Sequence, residues 1–203
     1  MKIKDYFINR KNAKKTMIMF AEGKITTYEF WNEFLNDKIL RNIIYKDRKL
    51  PIKNKPFLYE DINLESLIHR SEIYRVVKVY FMRRGKKLNF YNSDSELYSC
   101  LLDIVPDYID ISCWMIDNLV NKSIFELNSK LWKNDIRNRI KLLYTFEVFP
   151  PKWLQAPEWP IVNDKPCKFI KQTGNPNDIS TDEMYYYFLD ETNNQEIVVH
   201  QYI

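Results

Sequence analysis

The sequence predicts an α+β protein in which an N-terminal helical bundle is followed by a small antiparallel sheet ending in a C-terminal hairpin. Three observations carry that reading. Helix-start signals of the Ser/Thr-x-x-Glu kind recur through the first 150 residues. Phe149-Pro150-Pro151 then halts helix, because proline lacks an amide hydrogen and biases the residue before it to extended backbone. Beyond it lie short aromatic and β-branched runs parted by polar loops. The expected division is a helical region over 1–149 and a β-rich module over 150–203 packed on it, more one interlocked unit than two independent domains.

Taken in order, Thr26-Thr27-Tyr28-Glu29 reads as a capping box, with Ile25 and Phe30 placed as a hydrophobic staple and Trp31, Phe34 and Leu35 following at helical spacing. Residues 37–46, with Ile39, Leu40, Ile43 and Ile44, read as a short helix. The loop that follows, 46–56, is basic. From 63 to 84, Leu64, Leu67, Ile68, Ile73, Val76, Val77, Tyr80 and Phe81 keep a 3.6-residue period. Arg83-Arg84-Gly85 closes that helix, with cations at its negative end and a glycine for a left-handed cap. Ser93-Asp94-Ser95-Glu96 opens a helix running to about Pro106, and 112–120 forms another short one. Ser123-Ile124-Phe125-Glu126 opens a helix carrying Leu127, Leu131, Ile136, Ile140 and Leu143. The strands expected are 167–172, 183–190 and 196–203, the last two joined by a loop at 191–195. A hairpin alone is marginal, so Trp153 and Trp159 are expected to dock the sheet on helices.

Hydrophobic residues make up 45% of the chain and aromatic ones 15%, a globular balance with an aromatic surplus. Only 3 glycines occur, too few for glycine-cradled phosphate sites. No charged-then-apolar leader follows Met1, and no run approaches the roughly 20 apolar residues of a membrane span. The expectation is a cytoplasmic protein without membrane contact. Cys100, Cys113 and Cys167 show no C-x-x-C pairing and read as reduced thiols. The net charge of +4 is uneven: four lysines against eight acids leave −4 from residue 151 onward and +8 before it. The two ends should offer partners opposite fields.

Candidate chemistry is sparse. His69 and His200 are the only histidines, and neither sits in a nucleophile motif; each reads as an ordinary imidazole. Glu60-Asp61, Asp107 with Asp110, and Asp182-Glu183 read as solvated caps and surface charge. The expectation is no enzyme, no catalytic residue, no metal and no cofactor. Basic stretches at 41–55 and 83–87, the second running into Leu88-Asn89-Phe90-Tyr91, leave nucleic acid open as a partner. Against that stand the lack of a recognition signature and a pI of about 8.8.

The most specific stretch is Pro151-Lys152-Trp153-Leu154-Gln155-Ala156-Pro157-Glu158-Trp159-Pro160-Ile161, followed by Phe169-Ile170-Lys171-Gln172, the aromatic run Tyr185 to Asp190, and Val198-Val199-His200-Gln201-Tyr202. This order of elements resembles a module of small bacterial proteins and of immunity proteins from polymorphic-toxin systems, including contact-dependent growth inhibition. Its residues Trp153, Gln155, Glu158, Trp159, Pro160, Gln172 and Gln201 read as fold-defining, with partner contact as the other reading. The resemblance implies an immunity protein that binds a cognate toxin of nuclease type and blocks its active site or substrate path. An acidic patch would suit a basic nuclease cleft, which singles out Asp178, Asp182, Glu183, Asp190 and Glu191 as expected toxin contacts. The alternative is a nucleic-acid-binding protein using the basic helical half.

Overall fold

The computed structural model describes residues 3–47, 62–174 and 183–202, with the side chains of the first helix described from Ile8 onward. The α+β class with helices first is what the chain adopts. It divides into two compact units, Met1–Ser99 and Cys100–Ile203. The sequence changes character at Pro150, but residues 100–149 belong with the sheet.

The first unit is helical. It holds α1 (Ile3–Ala21), α2 (Thr27–Asn36), α3 (Lys38–Tyr45), α4 (Leu67–Met82) and most of α5 (Ser93–Leu102). No sequence signal singled out α1, whose apolar residues are diluted by Lys and Asn. Even so, Ala13, Met17, Phe20 and Ala21 are buried, spaced three or four apart on one face. Phe20 stacks on Phe30 with centroids 4.2 Å apart, fastening α1 to α2. The capping box forms as expected: Glu29 N–H donates to Thr26 Oγ1 at 3.2 Å, and Thr26 N–H to Glu29 Oε2 at 2.7 Å. Those bonds favour the charged carboxylate and lower the Glu29 pKa. Asp37 caps α3 through Ile39 and Leu40 N–H. Gly85, at φ +64, ends α4 as expected, with its N–H on the Met82 carbonyl and that of Lys86 on Phe81.

Three helix starts differ from expectation: α4, expected from residue 63, begins at Leu67 behind Ser66, whose hydroxyl accepts from His69 N–H. Asn92, not Ser93, caps α5, its Oδ1 accepting from Ser95 N–H at 2.9 Å; the helix ends at Leu102, short of Pro106. The larger correction concerns 123–129, which is not helical. α7 (Lys130–Leu143) begins behind Ser129, whose Oγ accepts from Trp132 N–H at 3.1 Å. Ser123 instead donates to Asp135 Oδ2 at 2.8 Å, and Asn128 takes φ +65, which a helix cannot include. Leu127 and Leu131 are consequently exposed, while Trp132, Ile136 and Ile140 form the buried stripe.

The second unit also holds α6 (Cys113–Met115), continued by a π-turn over Ile116–Val120, and, among the described residues, five strands. β1 (Ile161–Val162) and β2 (Lys165–Pro166) make a tight hairpin that was not expected, with Asn163 and Asp164 both at positive φ. β3 (Lys168–Thr173), β4 (Glu183–Asp190) and β5 (Gln195–Tyr202) form an antiparallel sheet in that order. Phe146 bridges in parallel to Phe169, so residues 145–147 cover the outer edge of β3, and β5 is the other edge. Alternation sends Met184, Tyr186, Phe188 and Asp190 inward and Glu183, Tyr185, Tyr187 and Leu189 outward.

Candidate functional site

The motif around the two tryptophans is an irregular segment whose polar backbone groups lack a ladder and need partners from elsewhere. The sheet's side chains supply them. Gln201, 1% exposed, accepts from the N–H of Leu154 at 3.1 Å and of Gln155 at 3.0 Å, and its Nε2 donates to the Ala156 carbonyl at 2.8 Å. Gln172 accepts from Lys152 N–H at 2.8 Å. Gln155 Nε2 donates to the Tyr202 carbonyl at 2.6 Å. The Tyr186 hydroxyl accepts from Leu154 N–H and donates to the Lys152 carbonyl.

Both indoles are anchored as well, Trp153 to the Tyr108 carbonyl at 2.9 Å and Trp159 to that of Cys167 at 2.7 Å. Trp159 meets Tyr144, the residue closing α7, at 5.2 Å, so the indoles fasten the sheet to the helical part of this unit. These residues therefore build the fold. Pro160 joins in through its carbonyl, which accepts from Cys167 N–H at 2.9 Å. Glu158 is the exception, exposed to solvent.

With the inner face and the β3 edge occupied, the sheet's outer face is left to solvent. Register places Tyr185 opposite His200, Glu183 opposite Tyr202, and Tyr187 between Lys171 and Val198. Tyr185, Val198, His200 and Tyr202 are all exposed, Tyr202 by 65%. His200 stacks flat on Tyr185 with centroids 4.4 Å apart, and its Nε2 lies 3.5 Å from Glu183 Oε2. Tyr185 donates to the same carboxylate at 2.9 Å, a bond that favours the neutral phenol and raises its pKa. Lys171 Nζ lies 5.0 Å from the Tyr187 ring centre.

Of the acids expected to meet a toxin, Glu183 is on this face and Glu191 is exposed at the turn beside it. Asp178 and Asp182 lie outside the described residues. Asp190 is a correction: it is 3% exposed, and its Oδ1 accepts from Thr192 N–H at 2.9 Å and Oγ1 at 2.6 Å. It shapes the hairpin turn and offers no surface charge. Burial first, and the Asp190 charge second, push the Cys167 thiol up. The aromatic members of the face lay in strands legible from their aromatic and β-branched composition, but that composition does not say which side chains are covered.

His69 accepts from Asn63 N–H at 2.9 Å, a local structural bond. Among the described residues no group of three or more His, Cys, Asp or Glu side chains could hold a metal, and no helix is long and apolar enough to cross a membrane. Lys46 of the first basic stretch and Arg84 of the second line one pocket in the first unit. Arg84 stacks on Tyr80 at 3.7 Å and pairs with Asp47 at 2.9 Å, in a pocket that Arg10 and Lys46 also line. The charged partner beside Arg84 raises its pKa. Neither a protein family, nor a curated protein, nor a solved structure matches this chain.

Proposed function

We propose that this protein neutralises a cognate bacterial toxin by binding it through the outer face of β3–β5, without covalent chemistry. The observation that carries the reading is the exposed aromatic surface of Tyr185, His200 and Tyr202, with Glu183 beside it and Glu196 and Glu191 at the turn end of the same hairpin. Tyrosines held rigidly on a sheet bring large contact area at low entropic cost, the composition of interface hot spots. The acids fit a toxin with a basic substrate cleft, because complementary charge speeds encounter and sets orientation. The module resemblance supports the same reading, and it makes a cytoplasmic nuclease-type toxin the partner class.

The test is co-expression with the toxin encoded beside this gene. The intact protein should restore growth. Glu183→Lys with Glu191→Lys should abolish rescue while the circular dichroism spectrum is kept, and Tyr202→Ala should weaken toxin binding by about tenfold or more. Full rescue by all of these variants would overturn the assignment of this face.

A second reading rests on the cluster of Arg10, Lys46 and Arg84, which suits a phosphate backbone. It predicts binding of RNA or DNA that falls steeply with salt. Absence of any shift at low salt removes it.

A further inference from the structure

The second unit contains a cavity of about 200 Å³ that the proposed toxin-binding face does not use. Three aromatic rings wall it. Trp114, on α6, meets Tyr144 at 6.2 Å and an interplanar angle of 82°, and Tyr144 meets Trp159 at 5.2 Å and 81°. Successive rings thus stand nearly perpendicular, as the adjoining walls of a box rather than a stack. Tyr144 and Trp159 are buried and tied into the core, so those walls are rigid.

Two carboxylates, Asp110 and Glu158, also line it, beside Ile109, Ser112, Pro157 and Ile161, and both acidic residues are open to solvent. Among the described residues neither forms an ion pair with a lysine or arginine; burial raises the Asp110 pKa and a hydrogen bond from the Ile111 backbone partly offsets it. Trp114 adds a buried indole N–H without a hydrogen-bond partner. Its nitrogen has essentially no accessible surface, so it is the ring of Trp114 and not its N–H that faces the cavity.

We propose that this cavity is a receptor for an organic cation, an alkylammonium head group held against Trp114, Tyr144 and Trp159 with Asp110 and Glu158 at the mouth. Aromatic faces carry negative potential and attract a cation most strongly where water is excluded. A neutral apolar ligand would bury the same rings but gain nothing from the two carboxylates at the mouth, whose attraction for a cation adds to that of the rings. The volume agrees, since it lies below the roughly 300 to 1,000 Å³ of sites for drug-sized ligands and suits a head group. The same chemistry has two sources, a free quaternary ammonium compound or a lysine side chain presented by a partner protein.

The experiment titrates the full chain with choline, with N-acetyl-lysine amide, and with 3,3-dimethyl-1-butanol, the uncharged carbon isostere of choline. Indole N–H signals of Trp114 and Trp159 are followed by NMR. Saturable shifts are expected with a cation, and binding at least about tenfold tighter than the isostere. Tighter binding of choline points to a free ammonium compound, and of acetyl-lysine amide to a partner's lysine. Asp110→Asn and Glu158→Gln, which keep shape and lose charge, should each weaken the cation several-fold and leave the isostere unchanged. Equal binding of isostere and cations, or no saturable shift with either cation, overturns the proposal. Glu183→Lys with Glu191→Lys should not alter these titrations, so failure here and failure of the toxin-binding face are told apart.

Discussion

Gln201 is the residue on which most of the motif depends. Its amide satisfies two backbone N–H groups and one carbonyl in a segment with no ladder of its own. Leaving a buried polar group unpaired costs about 1–3 kcal/mol, so Gln201→Leu should destabilise the protein by about 3 kcal/mol or more, read from chemical denaturation. Gln155→Ala, which removes one bond at an exposed site, should cost far less. A titrating counterpart is Asp135. Burial opposes its ionisation, but the Ser123 hydroxyl and the Arg139 guanidinium outweigh that and lower its pKa. A folded pKa below the unfolded one means stabilisation that is present above the usual carboxylate range and lost as pH falls through the folded value. Asp135→Asn should therefore flatten the acid limb of stability against pH and change little below it. That Gln201 would tie backbone was legible from its chemistry in the sequence; which backbone it ties was not, because the partners lie 45 to 47 positions away.

At the scale of the element, caps decide where helices begin. The Thr26 box was readable because every partner lies within three residues. Ser123-Ile124-Phe125-Glu126 has the same letters, yet Ser123 faces Asp135, twelve residues on, and the helix waits for Ser129. Ser129→Ala should cost about 1 kcal/mol, the usual loss of a helix cap. Hydrogen exchange should be fast across 123–128 and slow across 134–143; protection of the first segment equal to the second would contradict this start. The strands were easier to read, since β4 needs only its aromatic, β-rich composition. Asp190 shows the limit of that reading, because the parity that makes Tyr185 outward makes the aspartate inward.

At the scale of the whole molecule, the chain divides at 99/100, inside α5, and not where the prolines end the helical sequence. The reason is visible in Tyr108 and Tyr144, helical-half residues that meet Trp153 and Trp159 of the motif. A fragment spanning 93–203, which keeps α5 whole, should fold alone, with a cooperative melt and a near-ultraviolet tryptophan signal. A fragment limited to 150–203 should not, because it loses the helical side of the core.

The sequence by itself determined the α+β class, helices before strands, the Thr26 and Gly85 boundaries, and the three strands of the terminal sheet. Those features rest on partners a few residues apart and on side-chain periodicity. Only the tertiary structure decided which sheet face is open, that Asp190 is buried, that Ser123 serves Asp135, and that Trp114, Tyr144 and Trp159 enclose a cavity with Asp110 and Glu158. Each of these depends on segments brought together across the fold, and local sequence carries no record of which distant segment will cover a given face.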